Sequence, residues 1–266
     1  MSIVLIVGAS SGIGYECAKT FLREGYKVLA LSRTECVLAG VKNYLCDVSK
    51  EEELEQTLDR LLDEYPSVDN LVYSAGCSMA CPLEFVDPVD YRYLFEVNFF
   101  GFVHCLRRLI PTLRRCEGTA CVVSSIGAVA PIPFDSYYVA SKAALNSLCM
   151  TLATELASRG VRVVSVMPGG TKTNFTFKRK IYPPEKIGDY KIAQENAVEK
   201  LAKIEQSGAS PSKIAETIYR LCTQRSGVFL TTAGWKNKFL YAVIKILPQR
   251  LLTFLTRSVY LSCDDQ

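Results

Sequence analysis

Short apolar runs alternate with longer amphipathic stretches along most of the chain. The runs fall at residues 3–7, 27–31, 43–46, 70–73, 120–124 and 162–166. Each is nearly continuous in apolar character, as expected of strands buried on both faces of a parallel sheet. Between them Ile13, Cys17 and Phe21, and then Leu54, Leu58, Leu61 and Leu62, recur at helical spacing. The alternation predicts an α/β fold, a doubly wound parallel sheet with helices on both faces. Such a fold receives its ligands beyond the carboxyl ends of the strands, which limits where chemistry can sit.

Composition narrows the picture without redirecting it. The chain has 266 residues, 49% of them apolar and 22% charged, enough for a full core without a disulfide or metal staple. A net charge of +4 with no long basic run gives no reason to expect a nucleic-acid partner. The opening MSIVLIVGASSG lacks a basic stretch before its apolar run, and that run is too short for a signal peptide. Eleven irregularly spaced cysteines therefore read as reduced thiols, and a cytoplasmic location is expected. Cys77 and Cys81 lie four apart, but with one histidine and no CxxC in the chain no metal site is expected. That histidine, His104, falls on a helical pattern and is expected to be packed or at the surface.

GASSGIG follows the first run, with Gly8, Gly12 and Gly14. One glycine permits the sharp turn, a second lets backbone approach a pyrophosphate, and a third lets the helix pack close to the sheet. The helix N-terminus that follows offers free N–H groups to phosphate. The second run ends LALSRT, where Ser32 stands at the position of the carboxylate that would bond a ribose 2′-hydroxyl, and Arg33 follows. Arginine there suits a 2′-phosphate, so NADP(H) is expected over NAD(H), with Ser10, Ser11 and Arg33 as phosphate contacts.

Tyr-x-x-x-Lys occurs four times, so spacing alone identifies nothing. Tyr182 is followed by Pro183 and Pro184, which forbid a helix that would align it with Lys186. Tyr241 lies in an apolar segment where Lys245 is expected to snorkel, and Tyr15 belongs to the turn after the phosphate glycines. Tyr138 instead opens a long helical pattern (Ala143, Leu145, Leu148, Leu152, Leu156) after the strand that ends in Ser124 and Ser125. Tyr138 and Lys142 then share a helix face one turn apart, with Ser125 at the ligand end of its strand. A lysine ammonium can draw the phenol toward its phenolate, and a serine hydroxyl can hold a substrate oxygen in line. The expected chemistry is hydride transfer to or from a nicotinamide, with Tyr138 moving the hydroxyl proton.

These pieces, with CDVS at Asp47 and Val48, SAG at Ser74, Ala75 and Gly76, VNFFG at Asn98 and PGGTKT at residues 168–173, resemble the classical short-chain dehydrogenase/reductase family up to about residue 225. The resemblance implies a single-domain Rossmann fold of about seven parallel strands, assembled as a homodimer or homotetramer. It implies a catalytic set of Asn98, Ser125, Tyr138 and Lys142, with Asn98 in a water-linked proton relay to Lys142. Cofactor contacts would come from Gly8, Ser10, Ser11, Gly12, Ile13, Gly14 and Arg33. Asp47 and Val48 would meet the adenine, and Ser74, Ala75 and Gly76 would also contact the cofactor. Lys142 would bond the nicotinamide ribose and Thr171 and Thr173 would meet the carboxamide side, with Tyr138, Pro168 and Gly169 also among the cofactor contacts. The chain departs from the family's usual NAG at Ser74, which should alter sheet-edge bonding slightly and leave the reaction type unchanged.

The stretch NFTFKRKIYPPEKIGDY after PGGTKT corresponds to the family's substrate-pocket wall, and Ser210 or Ser212 is expected to cap a helix beyond it. Residues 1–225 are expected to form the dinucleotide-binding and catalytic unit, and 226–266 an apolar helical extension. That extension is interrupted by Lys245, Pro248 and Arg250, so it offers no membrane span, only two short helices, the second carrying Leu251, Leu252, Leu255 and Val259 toward one side. A substrate lid or subunit contact ranks ahead of membrane association through 235–261. Together with the family's relatives, it points to a bulky apolar small-molecule substrate. A hydroxysteroid or bile acid is expected first, with a retinoid or long-chain keto lipid, or a non-catalytic NADP-binding sensor, as alternatives.

Overall fold

The computed structural model describes residues 1–224 and 227–261, so the expected boundary at 225/226 lies outside the described residues. Seven parallel strands form one sheet in the order β3-β2-β1-β4-β6-β7-β9. They are β1 (Ile3–Val7), β2 (Lys27–Ser32), β3 (Val41–Leu45), β4 (Asn70–Tyr73), β6 (Thr119–Val123), β7 (Arg162–Val166) and β9 (Leu230–Thr231). A two-stranded parallel pair, β5 (Met79–Ala80) with β8 (Lys180–Ile181), stands apart from it. Helices α2 (Glu51–Glu64), α4 (Gly101–Cys116) and α5 (Ser136–Glu155) cover one face around Leu58, Tyr73, Phe102 and Leu145. Helices α1 (Gly12–Arg23) and α7 (Pro211–Thr223) cover the other around Phe21, Ala215 and Ile218.

Six of the seven strands match the apolar runs to within two residues at either end. β3 is the exception in character. It begins two residues earlier than the run at 43–46 suggests, and it is half-buried and solvent-facing at Leu45. It is the sheet's edge, where one side has no neighbour, so burial on both faces does not apply. β9 gave no sequence signal. It is two residues long and is fixed by its register with β7, Leu230 opposite Ser165 and Thr231 opposite Val166.

The strand order reverses between β1 and β4, and this opens the crevice at the carboxyl ends of the strands. Helix α3 (Pro88–Phe95) runs into α4 through a π-helical turn, Glu96–Phe100, which carries Asn98 into the core. Beyond the sheet, α6 (Lys191–Gln206) packs against the last helix, α9 (Gln249–Leu261), which follows α8 (Trp235–Ile246) across the break at Pro248. Ser210 caps α7, accepting from the Ser212 N–H at 3.3 Å. No helix among the described residues is long and apolar enough to cross a membrane.

Candidate active site

A cavity of about 830 Å³ opens over the carboxyl ends of the strands. One end is the glycine turn. Gly8 has φ +83°, and a Cβ there would stand 2.7 Å from the Ala75 amide nitrogen; a Cβ on Gly14 would stand 2.2 Å from the Gly8 carbonyl oxygen. Both closures are between backbones, so only glycine lets α1 start this near the sheet. Ser11, the residue before α1, makes no side-chain cap, and the helix's first turn holds no acidic residue, so its N–H groups stay available to an anion. The methyl of Thr173 faces Gly12, with 3.6 Å left to a Cβ built there. The glycine turn and the PGGTKT loop thus sit across from one another, as a dinucleotide-binding cleft requires.

Every residue predicted to touch the cofactor except Gly14 lines this cavity. Gly14 is the packing glycine, buried beneath the turn. Arg33 is exposed and donates to the Tyr93 hydroxyl at 2.9 Å, while the Ser32 hydroxyl is turned to the Thr34 carbonyl at 2.8 Å. No carboxylate stands at the end of β2. Asp47 accepts from the Ser49 N–H and hydroxyl at 3.1 and 2.8 Å, which fixes its carboxylate at the cavity wall. Ser74 donates its N–H to the Val7 carbonyl at 2.8 Å, so the main chain that joins β4 to β1 at that point is in place with serine there.

The four catalytic candidates converge from the end of β6, from α5 and from the π-helical turn. Ser125 lies two residues beyond β6, accepts from the Gly127 N–H at 3.0 Å, and its hydroxyl bonds the Tyr138 phenol. Tyr138 is the third residue of α5, not its first as expected, and sits half-buried against Phe175, ring centroids 5.9 Å apart. Lys142 is buried one turn on, and its ammonium donates to the Val123 carbonyl at 2.9 Å. The Ser124 hydroxyl bonds the Lys142 carbonyl at 3.1 Å, so β6 and α5 are stapled together at the site. Asn98 is fully buried. Its amide brackets Cys77, accepting from the N–H at 2.8 Å and donating to the carbonyl at 2.9 Å, and donates a second bond to the Ser141 hydroxyl at 3.0 Å. A Cβ on Gly76 would stand 3.3 Å from Asn98 Oδ1 and 3.5 Å from Lys142 Nζ, so that glycine keeps the space between them open.

The electrostatics correct one expectation. Burial pushes the Tyr138 phenol above its ordinary range, and Asp135 and Glu205 push it the same way; the Ser125 bond and Arg179 pull down without reversing the sign. Lys142 does not hold the phenolate here. Its Nζ is 5.7 Å from the phenol ring centroid and points to Val123, and burial brings it down to about 8. A phenol raised in this way holds its proton more tightly, and would give it up only to a strongly basic oxygen such as an alkoxide developing on the substrate.

The tyrosines of the other three Tyr-x-x-x-Lys matches stay out of the site. Tyr15 packs against the α1/α7 core. Tyr182 is buried, bonded to the Asp87 N–H at 2.9 Å and to Asp90. Tyr241 packs beside Ile244, with Lys245 Nζ 5.0 Å over its ring. His104 is largely buried on α4, 3.6 and 3.7 Å from Glu51 and Glu55.

The far end of the cavity is apolar. Leu240, Val243 and Ile244 from α8, Leu247 just beyond it, and Leu252, Leu255 and Val259 from α9 line it; Leu251, expected on the same side, does not. Sequence reasoning missed the polar wall between the two ends, where Ser78, Asp135, Arg179 and Glu205 meet. These four are far apart in the chain; the one available signal was Asp135, placed just before the tyrosine helix.

The short chain dehydrogenase family profile matches residues 2–181, which carry the glycine turn, Ser125, Tyr138 and Lys142. The chain belongs to that family. It is an oxidoreductase of the short-chain dehydrogenase/reductase type. It is 30% identical over 264 residues to a 3-ketodihydrosphingosine reductase of Bacteroides thetaiotaomicron, covering 97% of both chains. An NADPH-dependent 1-acyldihydroxyacetone phosphate reductase of Saccharomyces cerevisiae is 33% identical over 190 residues, 67% of this chain and 64% of that one. Among solved structures, a short-chain dehydrogenase from Streptomyces avermitilis superposes with a TM-score of 0.80 at 25% identity, covering 97% of this chain and 95% of its own.

Proposed function

We propose that this oxidoreductase is an NADP(H)-dependent ketone reductase acting on a long-chain keto lipid. The observation that carries the reading is a single cavity with a glycine cradle at one end, Tyr138 beside Ser125 in the middle, and apolar helices at the other. The bound nicotinamide would supply hydride to the carbonyl carbon. The Ser125 hydroxyl holds the carbonyl oxygen, and Tyr138 gives it the proton that completes the alcohol. Lys142, through its hold on Val123, and Asn98, through Cys77 and Ser141, keep the wall around that oxygen rigid.

Arg33 at the end of β2, with no carboxylate beside it, supports NADP(H) over NAD(H). Two relatives whose names specify reduction of lipid-derived ketones support a long-chain substrate. The full-length match to one of them takes in α8 and α9, whose side chains make the apolar wall. Membership of the family also supports a homo-oligomer. The test is NADPH oxidation with purified enzyme against long-chain ketones, ketosteroids and short ketones. Turnover that rises with chain length is expected. A preference for the ketosteroid would restore the steroid reading, and tight NADPH binding with no turnover on any ketone would favour the sensor.

A further inference from the structure

Helix α8 is apolar on two sides. One side, with Leu240, Val243 and Ile244, lines the cavity. Trp235, Phe239, Ala242 and Ile246 recur every three or four residues on the other. These four do not line the cavity and are exposed, Trp235 by 75%, Phe239 by 69% and Ile246 by 81%. On α9 Leu251 and Phe254, a turn apart, are likewise exposed and outside the cavity. Apolar residues scattered singly over a surface are ordinary, but a row of large ones at helical spacing marks a face that something else covers.

The charge around that row is of one sign. Residues 227–261 contain Lys236, Lys238, Lys245, Arg250 and Arg257 and no Asp or Glu. All five are exposed, and none lies within ion-pairing distance of a carboxylate among the described residues. The next acidic residues in the chain, Asp264 and Asp265, lie outside the described residues. At helical pitch Lys236 falls on one flank of the α8 row, its Nζ 5.8 Å from the Trp235 ring centroid, and Lys238 and Lys245 fall on the other. On α9 Arg250 and Arg257 stand a turn before and a turn after Phe254. We propose that this face docks on a membrane surface rich in anionic lipid, with α8 and α9 lying in the plane of the interface.

Apolar side chains flanked by cations match such a surface. The rings and aliphatic chains enter the acyl boundary while lysine and arginine reach back to the headgroups. A tryptophan at the end of the row fits as well, since indole settles at headgroup level. A second copy of the chain fits less well. A two-fold contact through this face would set its cations against the same cations of the partner, with no acidic residue in 227–261 to offset them. The docking goes beyond the ketone-reductase reading and needs no particular substrate. It gives the two sides of α8 different work, the inner one closing the apolar end of the cavity and the outer one meeting lipid.

Trp235 is the only tryptophan in the chain, so its emission reports on this face directly. The protein is titrated with vesicles of phosphatidylcholine alone and with vesicles in which about 30% of the lipid is phosphatidylglycerol. On the anionic vesicles the emission should shift to the blue and be quenched by lipids brominated in the acyl chain. The affinity should exceed that for phosphatidylcholine by at least about tenfold and fall with added salt. Lys238→Gln with Lys245→Gln should weaken binding by about tenfold or more, and Phe239→Ser with Ile246→Ser by at least as much. All four side chains are exposed, so both double variants should keep the wild-type affinity for NADPH, which shows that they fold. Unchanged emission, with the protein left in the supernatant of both vesicle types, overturns the proposal. Equal affinity for the two compositions overturns it too. A tryptophan already shielded without lipid, in an oligomer that Phe239→Ser with Ile246→Ser dissociates by light scattering, assigns the face to a second copy and overturns it as well.

Discussion

Tyr138 and Lys142 divide their work differently from what their spacing suggests. One helical turn puts them on the same face, but burial acts on both, raising the phenol and lowering the ammonium to about 8, while Lys142 is drawn to the Val123 carbonyl. Arg33 stands free of that coupling at the cavity mouth. Arg33→Ala should raise KM for NADPH by about tenfold or more, the worth of a charge-assisted phosphate bond, and leave KM for NADH nearly unchanged; steady-state kinetics with both cofactors would check it. Asp135 makes a pH prediction. Burial raises its carboxyl from 3.8 to about 7 against Arg179, Ser78 and the Met79 N–H. The folded chain therefore binds more protons than the unfolded one between those values, so this group's contribution to stability is complete below about 4 and lost as pH rises through 7. Thermal melts across that range should fall less steeply with pH in Asp135→Asn than in wild type. An identical slope would show that Asp135 ionises normally in the fold.

At the scale of elements, the close approach of β1, α1 and β4 depends on two missing side chains. Gly14→Ala would drive a Cβ to 2.2 Å from the Gly8 carbonyl oxygen, so α1 must back away from the sheet. A loss of about 1–3 kcal/mol, together with weakened NADPH binding, is expected from the overpacking; denaturant melts and nucleotide titration would show it. A variant with wild-type stability and affinity would mean the turn relaxes freely. The elements themselves were legible where burial is two-sided. β1, β4, β6 and β7 read as apolar runs because helices cover both faces. The edge strand β3, the two-residue β9 and the β5/β8 pair were not legible in their observed form, since pairing across the fold, rather than local pattern, fixes them. The π turn at Glu96–Phe100 left no mark in the sequence either, although Asn98 on it was singled out. Its widened turn sends that amide to Cys77 and Ser141, as a brace of the site wall.

The whole molecule is a dinucleotide cleft with an apolar annex, built by the sheet at one end and by α8 and α9 at the other. The cleft was readable because its residues lie in short motifs. The annex was readable only as an apolar tail, because which side of α9 faces inward depends on α6, and the charged wall was not readable at all. Removing residues after Gly234 should leave NADPH affinity nearly intact and raise KM for a long-chain ketone at least about tenfold, since two methylenes buried on α8 and α9 already carry about 1.6 kcal/mol. An unchanged KM would show that the tail serves another surface. The exposed side of the same helices, with Trp235, Phe239, Ile246 and Phe254 in water, gives such a surface its place.

The account stands on proton donation by one phenol, and Tyr138→Phe tests it with NADPH affinity measured on the same sample. Single-turnover NADPH oxidation by a long-chain ketone should slow by about 10²- to 10⁴-fold while the dissociation constant for NADPH stays within about twofold of wild type. Hydride transfer at the wild-type rate in the phenylalanine variant would contradict it.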